Sequence, residues 1–312
     1  MDPSAAPVLP PTDDLDRFGF LFGYPIAHSY SPLFHQTIFD TLGLKWRQMF
    51  YESTNMTSYL STIRDPKFFG SSVTMPHKVA ILPHLDAITD EGRSVGACNT
   101  IYLEHASDGT RKLVGTNTDV VGIYESFYQN LADPSSLIDG RPGMVVGGGG
   151  AARAAVYALK KMMRLGTVYL VNRDVSEVEG IVAWCTEHGY GDGLVHVSTT
   201  AQAEGLEGPG AIVACVPDIV PVTAAEVAAR ATFEVFLNKP HKGAILEMAY
   251  HPRPYTAIAA LSEKAGWTTI LGTEAMIYQG LAQSRLWTGK TLEELPVEKV
   301  KAVIKAKLSE AH

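Results

Sequence analysis

Short apolar runs alternate with longer amphipathic stretches along most of this chain, the rhythm of strand–helix–strand units and a largely parallel sheet. From Phe18 the pattern predicts a strand ("FGFLFGYPI"), a helix ("SPLFHQTIFDTLG"), a strand ("WRQMFYES"), a helix ("TSYLSTIRD") and a strand ("FGSSVTM"). A short helix then opens at Pro76, and "ACNTIYLE" and "KLVGTNTD" read as two more strands. A helix from Val120 to about Leu131 leaves this region. A second series begins at "GMVVGGGGAARAAVYALKKMMRLG": an apolar strand, four glycines and an Ala-rich helix, with Gly166 as its expected stop. A strand ("TVYLVNRD"), a helix ("SEVEGIVAWCTEHG") and strands at "AIVACVP", "GAILEMAY" and "TTILG" follow. Two closing helices, "TEAMIYQGLAQSRLWTG" and "VEKVKAVIKAKLSEAH", are predicted to return to the first region.

The expected architecture is therefore α/β with two domains. Residues 18–119, joined by about 275–312, form a substrate-binding and catalytic domain, and residues 120–274 a dinucleotide-binding one. The acidic, Pro-rich residues 1–17 lack the basic and apolar regions of a signal peptide and read as a disordered lead-in. A hydrophobic content of 46% and charged content of 19% are those of a globular protein, so they leave this picture unchanged. The net charge of -7 argues against a nucleic-acid partner, and no apolar run is long enough to span a membrane. Cys98, Cys185 and Cys215 are widely separated, as expected of reduced thiols in a cytoplasmic protein; no metal-ligand spacing is evident.

The glycine run carries the first candidate chemistry. Gly147, Gly148, Gly149, Gly150, Ala151 and Ala152 fit G-x-G-x-x-G/A, with a strand before and a helix after. Gly147 would make the tight turn, Gly149 would let the backbone approach a pyrophosphate, and Ala152 would allow close helix packing. The free N–H groups of the helix start would receive the phosphates. The next strand ends at Asn172-Arg173-Asp174, and Asp174 lies at the distance expected of the acid that binds an adenosine ribose diol. Asp174 and Glu177 would repel a 2′-phosphate, which favours NAD over NADP; the lesser alternative for Asp174 is the N-cap of the following helix, a place Ser176 could take instead.

Four further loops are polar. "SVTMPHK" sets Lys78 in the first turn of a helix with Pro76 at its first position, where the macrodipole disfavours its positive charge and suits it to proton transfer. On its own it could be a surface lysine. "GTNTD" places Asn117, Thr118 and Asp119 at a strand's carboxyl end, either as ligand groups or as a helix cap. "GACNT" offers Asn99, and "HSYSP" offers Ser29 and Ser31, of which Ser31 before Pro32 is a natural N-cap.

Together these loops resemble the shikimate/quinate dehydrogenase family over nearly the whole chain, from about Phe18 to Gly289. The family's G-x-P-I-x-H-S-x-S-P-x-x-H-N appears as "GYPIAHSYSPLFHQ", with Gln36 for Asn, and its N-V-T-x-P-x-K as "SVTMPHK", with Ser72 for Asn. "GACNT", "GTNTD" and "GGGGAARA" match closely; "EMAYHP" resembles D-x-x-Y-x-P with Glu247 for Asp, and "MIYQGLAQSRLWTG" resembles the family's closing motif. The resemblance implies that Ser29 and Ser31 bind a substrate carboxylate, that Thr74, Asn99 and Gln279 hold ring hydroxyls, and that Tyr250 lines the same pocket. It implies a catalytic pair, Lys78 and Asp119, and cofactor contacts from Asn172, Arg173, Cys215, Val216 and Gly272.

Two departures bear on the cofactor. Asp174 stands where the biosynthetic members usually have Thr, and Ala214-Cys215-Val216-Pro217 replaces their N-A-T-P. Both look more like the NAD-using fungal quinate dehydrogenases, with shikimate as a second substrate and a monomer or homodimer as the expected state; the pair Ser29 and Ser31 is instead a feature of the shikimate enzymes, which leaves the preference between the two acids open. The alternatives are an NADP-dependent shikimate dehydrogenase of aromatic biosynthesis and a non-catalytic quinate sensor, which would not need Lys78 and Asp119.

Overall fold

The computed structural model describes residues 3–250 and 253–310, so the last two residues of "EMAYHP" lie outside the described residues. The chain divides into two compact units, one running to Thr118 and resuming at Gln279, the other Asp119–Tyr278. The first contains β1 (Arg17–Gly23), β2 (Trp46–Glu52), β3 (Phe68–Val73), β4 (Ala87–Ile88), β5 (Thr100–His105) and β6 (Arg111–Thr116), in the spatial order β2-β1-β3-β5-β6-β4. The helix Ser31–Thr41 carries the chain from β1 to β2, which pair in parallel, and β3 lies parallel on the other side of β1. Strands β5 and β6 are joined by a tight turn in which Ala106 N–H donates to the Thr110 carbonyl, and Gly109 adopts φ +83°. A connection that short makes the pair antiparallel, and β5 is antiparallel to β3 as well. This sheet is thus parallel-rich but mixed, with β5 alone running against its two neighbours.

Aromatic residues fill its core: Phe20, Phe22, Tyr51, Tyr59 and Phe68 pack together, with Phe22 and Tyr59 stacked at 3.8 Å. Leu15 joins this core, and the carbonyls of Pro3, Ser4 and Ala5 accept hydrogen bonds from Thr54, Asn55 and Ser53. From Pro3 onward the lead-in is therefore held against the first unit, contrary to the disorder predicted for 1–17; composition alone could not show that residues 53–55 would offer it donors.

The second unit contains β7 (Gly143–Val146), β8 (Val168–Val171), β9 (Leu194–His196), β10 (Ala211–Ala214), β11 (Ala244–Glu247) and β12 (Thr268–Leu271). All pair in parallel, in the order β12-β11-β10-β7-β8-β9. Counted from β7, this is the doubly wound order 3-2-1-4-5-6, whose direction reverses between β7 and β10. Every residue of β7, β8, β10 and β11 is buried, as parallel strands covered on both faces must be. The helix Ala224–Leu237 buries Phe233, Phe236 and Leu237 against Met144, Tyr169 and Ile212.

The periodicity missed this helix and Ala257–Lys264. The first is signalled locally, since Thr223 and Glu226 form a reciprocal capping box. Three cap assignments also differ. The helix after the glycine run passes into a π-turn at Ala158–Met162, and Arg164, not Gly166, takes the left-handed conformation (φ 60°). Ser31 is the first residue of its helix and Tyr30 the cap, without a capping side chain. Pro76 is the N-cap of His77–Ala80, preceded by a cis peptide bond, and not the first helical residue.

Candidate active site

In the first unit the topology gathers the polar loops at one end of the sheet. The carboxyl end of β1 leads to Ser29 and Ser31, and that of the parallel β3 leads to Thr74 and Lys78. Because β5 is antiparallel to β3, its start lies beside them: Val73 N–H donates to the Asn99 carbonyl at 2.7 Å. Thr100 faces Thr116 across the hairpin, which brings Asn117 and Thr118 to the same end. Two parallel strands and one hairpin thus place four loops, far apart in sequence, next to one another.

The turn bearing Lys78 is fixed by its neighbours. Thr74 N–H donates to the Phe22 carbonyl (2.9 Å), and the Thr74 carbonyl receives His77 N–H (2.9 Å). The buried His77 ring stacks on Phe22 at 3.9 Å and its Nε2 donates to the Ser53 carbonyl at 2.9 Å. A side chain at Gly23 would collide with Thr74 and with the Met75 carbonyl 2.8 Å away, so glycine is required where β1 passes this turn. The Lys78 carbonyl receives Cys98 N–H at 2.7 Å, tying the lysine's backbone to the Asn99 loop.

Asn99 is buried and shared. Its Oδ1 accepts from Thr118 N–H and from the Thr100 hydroxyl, each at 2.7 Å, and its Nδ2 donates to Thr118 Oγ1 at 3.0 Å. Gln279 Oε1 lies 3.3 Å from Thr118 Oγ1 and 3.5 Å from Asn99 Nδ2. The predicted hydroxyl-binding pair Asn99 and Gln279 therefore sit together. Ser29 and Ser31 also meet, Ser31 N–H donating to Ser29 Oγ at 3.2 Å. The loop before them is held by Ile26 N–H, which donates to Glu52 Oε1 at 2.9 Å. Gln36, in the place of the family's Asn, is occupied with Asp40 (2.7 Å) and the Trp46 carbonyl (3.2 Å). Gln48, His35, Thr100 and Gln283 are all buried in this polar set; none was a candidate site residue, and Gln48 lies outside every motif, because their partners come from distant segments.

Asp119, Tyr250 and Gly272 belong to the second unit. Asp119 opens the helix Asp119–Asn130, and Tyr250 follows the end of β11. A side chain at Gly272 would meet the Glu247 carbonyl at 2.6 Å, so chain crossing alone requires this glycine. Glu247 is fully buried; Oε1 accepts from Ala249 N–H at 2.9 Å, and Oε2 has no partner among the described residues. Burial pushes its carboxyl up to about 8, and burial likewise pushes the Cys215 thiol up.

At the carboxyl ends of β7 and β10, the reversal point of this sheet, lies a cavity of about 340 Å³. Gly147, Gly148, Gly149, Asn172, Arg173, Cys215 and Val216 line it; Gly150, Ala151, Ala152, Asp174 and Gly272 are not among its lining. Gly147 adopts φ +115°, and a side chain there would press on the Cys215 carbonyl at 3.1 Å. One at Gly148 would collide with Asn172 and Glu177. The protein's own packing therefore explains these two glycines. It does not explain Gly149 or Gly150, where a side chain would meet nothing within 4 Å. Open space before a helix start with no capping side chain, at Gly149, is what close approach of a phosphate requires. The cradle fits a dinucleotide.

The charges around it are largely committed. Arg173 pairs with Glu226, whose Oε2 also accepts from Val222 N–H (3.0 Å) and Thr223 N–H (2.9 Å). Those backbone donors hold its carboxyl low, at about 2. Asn172 donates to Glu177 at 2.6 Å. Asp174 does cap the helix Val175–Glu187: Oδ1 accepts from Ser176 N–H (2.8 Å) and its hydroxyl (2.6 Å), leaving Oδ2 outside the cap. Among the described residues no group of His, Cys, Asp and Glu could hold a metal ion, and no helix is long and apolar enough to cross a membrane.

Residues 21–101 match the model of the shikimate dehydrogenase substrate binding domain. The chain is 45% identical to a quinate dehydrogenase of Emericella nidulans, over 97% of this chain and 98% of that one. This chain belongs to the shikimate/quinate dehydrogenase family. Among solved structures it resembles the dehydroquinate dehydratase and shikimate dehydrogenase from S. pombe AroM, with a TM-score of 0.78 and 31% identity, covering 91% of this chain and 52% of that one. A quinate dehydrogenase from Corynebacterium glutamicum in complex with NAD shares the fold, with a TM-score of 0.77 at 21% identity, over 94% of this chain and 100% of that one. Members of the family are oxidoreductases that use a nicotinamide dinucleotide, and the two-unit α/β architecture with a Rossmann sheet is theirs.

Proposed function

We propose that this chain catalyses the reversible NAD-dependent oxidation of a ring hydroxyl of quinate to 3-dehydroquinate, with shikimate, giving 3-dehydroshikimate, as a second substrate. The observation that carries the reading is the 45% identity, nearly end to end, to a protein named quinate dehydrogenase. The polar sheet end supports it, since a polyhydroxy acid needs many paired donors and acceptors.

In this reading Ser29 and Ser31 receive the carboxylate end, Thr74, Asn99 and Gln279 hold ring hydroxyls, and Tyr250 is a further substrate-binding residue. The nicotinamide dinucleotide, when bound, supplies the hydride acceptor. Lys78 takes the hydroxyl proton on its amine as the carbinol becomes a ketone, and Asp119 orients the resulting ammonium. The His77 stack and the Gly23 crossing keep Lys78 and Thr74 on one rigid turn, as proton transfer at a fixed atom requires. Gly149 and Gly150 receive the pyrophosphate. NAD is favoured because Arg173 is already paired with Glu226, Glu177 also lines the cavity, and Asp174 Oδ2 is left for a ribose diol. Arg230, a second guanidinium in the cavity lining, is the observation that favours the rival reading, an NADP-dependent shikimate dehydrogenase.

The test is NADH formation by the purified protein with quinate and NAD. Steady NADH production is expected. Binding of quinate in calorimetry without any NADH would replace the enzyme by a sensor.

A further inference from the structure

One buried run of hydrogen bonds in the first unit has a direction that can be assigned atom by atom. Three amides set it. Gln48 Nε2 faces the Phe20 carbonyl at 3.3 Å and Gln283 Nε2 faces the Asn99 carbonyl at 3.3 Å. A carbonyl only accepts, so each amide must turn its NH2 there and its oxygen away. Asn99 is fixed likewise, because its Oδ1 receives Thr118 N–H.

The hydroxyls then have no choice. Ser31 donates to Gln48 Oε1 at 2.8 Å, Gln48 Nε2 to Ser72 Oγ at 2.9 Å, and Ser72 to Gln283 Oε1 at 2.9 Å. Gln283 Nε2 donates to Thr100 Oγ1 at 2.9 Å, and Thr100 to Asn99 Oδ1 at 2.7 Å. Every donor points from Ser31 toward Asn99. His35 agrees: its Nε2 faces Gln283 Oε1 at 3.1 Å and must carry the proton, so Nδ1 accepts from Ser284 at 2.9 Å. Ser72, which replaces the family's Asn, is the link that accepts on one side and donates on the other.

Ser31 has one proton, and Gln48 holds it. Toward a ligand Ser31 therefore offers only lone pairs, whereas Ser29 uses its oxygen on Ser31 N–H and keeps its own proton to donate. Two serines that look equivalent in sequence are one donor and one acceptor. Their complement is a carboxylate with a hydroxyl on the carbon that bears it. Quinate has that hydroxyl; shikimate has an sp² carbon there and none. We propose that Gln48, held by Ser72 and Gln283, is a positioning residue that makes Ser31 an acceptor and so selects acids hydroxylated at the carboxylate-bearing carbon. The proposal rests on assigning the Ser29–Ser31 loop to the carboxylate end of the substrate.

The test is Gln48→Met, which keeps the volume and removes the acceptor for the Ser31 proton. With NAD saturating, kcat/KM for quinate relative to shikimate should fall about five- to tenfold, the worth of one hydrogen bond, while the KM for NAD stays unchanged. Ser31→Ala should lower the same ratio, and the double variant should lower it no further. Equal losses on both substrates in Gln48→Met would mean a merely structural role and overturn the proposal. Where Gln48→Met does not fold, Ser31→Ala decides: an unchanged ratio overturns the proposal. A wild-type protein that oxidises neither acid overturns the functional reading and this proposal with it, an outcome distinct from activity with an unmoved ratio.

Discussion

The two units bury opposite things. The first hides a polar network: His35, Gln48, Ser72, Asn99, Thr100, Thr118 and Gln283 are all within the interior, and each is hydrogen-bonded. The second hides an apolar sheet; apart from Glu247, buried polar side chains such as Ser126, Thr232 and Ser262 bond only to the carbonyl one turn back in their own helices. The difference follows from what each must recognise. A small polyhydroxy acid is distinguished by where its donors and acceptors lie, so the reading side chains need partners that fix their orientation, and those partners are buried behind them. A pyrophosphate is recognised by backbone N–H groups, which need only space and a helix start.

The comparison can be broken most severely at the chemistry. Lys78→Ala is expected to lower kcat by about two to four orders of magnitude with little change in quinate affinity. Equal turnover in variant and wild type would remove Lys78 from proton transfer.

The next effect tests the buried network. Gln283→Leu leaves Ser72, His35 and Thr100 each short of a partner and is expected to destabilise the protein by about 3 kcal/mol in urea denaturation. Thr232→Val, in the second unit, loses only a bond to the helix carbonyl of Ala228 and should cost under about 1 kcal/mol. Comparable costs would erase the contrast between the units.

A smaller effect appears with pH. Burial holds His35 at about 3, below its ordinary 6.5, so between those values the unfolded chain binds a proton that the folded one refuses. Stability from this group is full above pH 6.5 and is lost as pH falls toward 3. Glu247 has the opposite sign: its folded value of about 8 exceeds 4.5, so its contribution is full below pH 4.5 and is lost as pH rises toward 8. Each slope is at most about 1.4 kcal/mol per pH unit, and the two oppose each other between 4.5 and 6.5. Glu247→Gln should therefore flatten the stability profile between pH 6.5 and 8 and steepen it between 4.5 and 6.5. A profile unchanged by the substitution would contradict a protonated Glu247.

The smallest effect concerns Asp174. Asp174→Ala removes the cap of Val175–Glu187, worth about 1 kcal/mol, and should raise the KM for NAD several-fold more than that for NADP. An unchanged ratio would leave Asp174 as a cap alone.

The same contrast explains what could be read from the sequence. The Rossmann sheet and its cavity were legible because a backbone site writes itself as contiguous residues: Gly147 to Gly149, then Asn172 and Arg173. The Asn99, Thr118 and Gln279 cluster was legible only as separate polar loops. Gln48 and Gln283 were invisible, since each sits in an apolar element and its partners lie elsewhere: Gln283 meets Ser72 and His35 across more than two hundred residues. The strand β5 was predicted, but its antiparallel direction was not, as its apolar alternation does not state the direction of its neighbour.

The most direct test of the central claim is a two-by-two matrix of initial rates, quinate and shikimate against NAD and NADP at equal concentrations. The account predicts the highest kcat/KM for quinate with NAD, and a lower value for shikimate with the same cofactor. A clear preference for NADP with shikimate would contradict both the reading of the Arg173–Glu226 pair and that of Ser31.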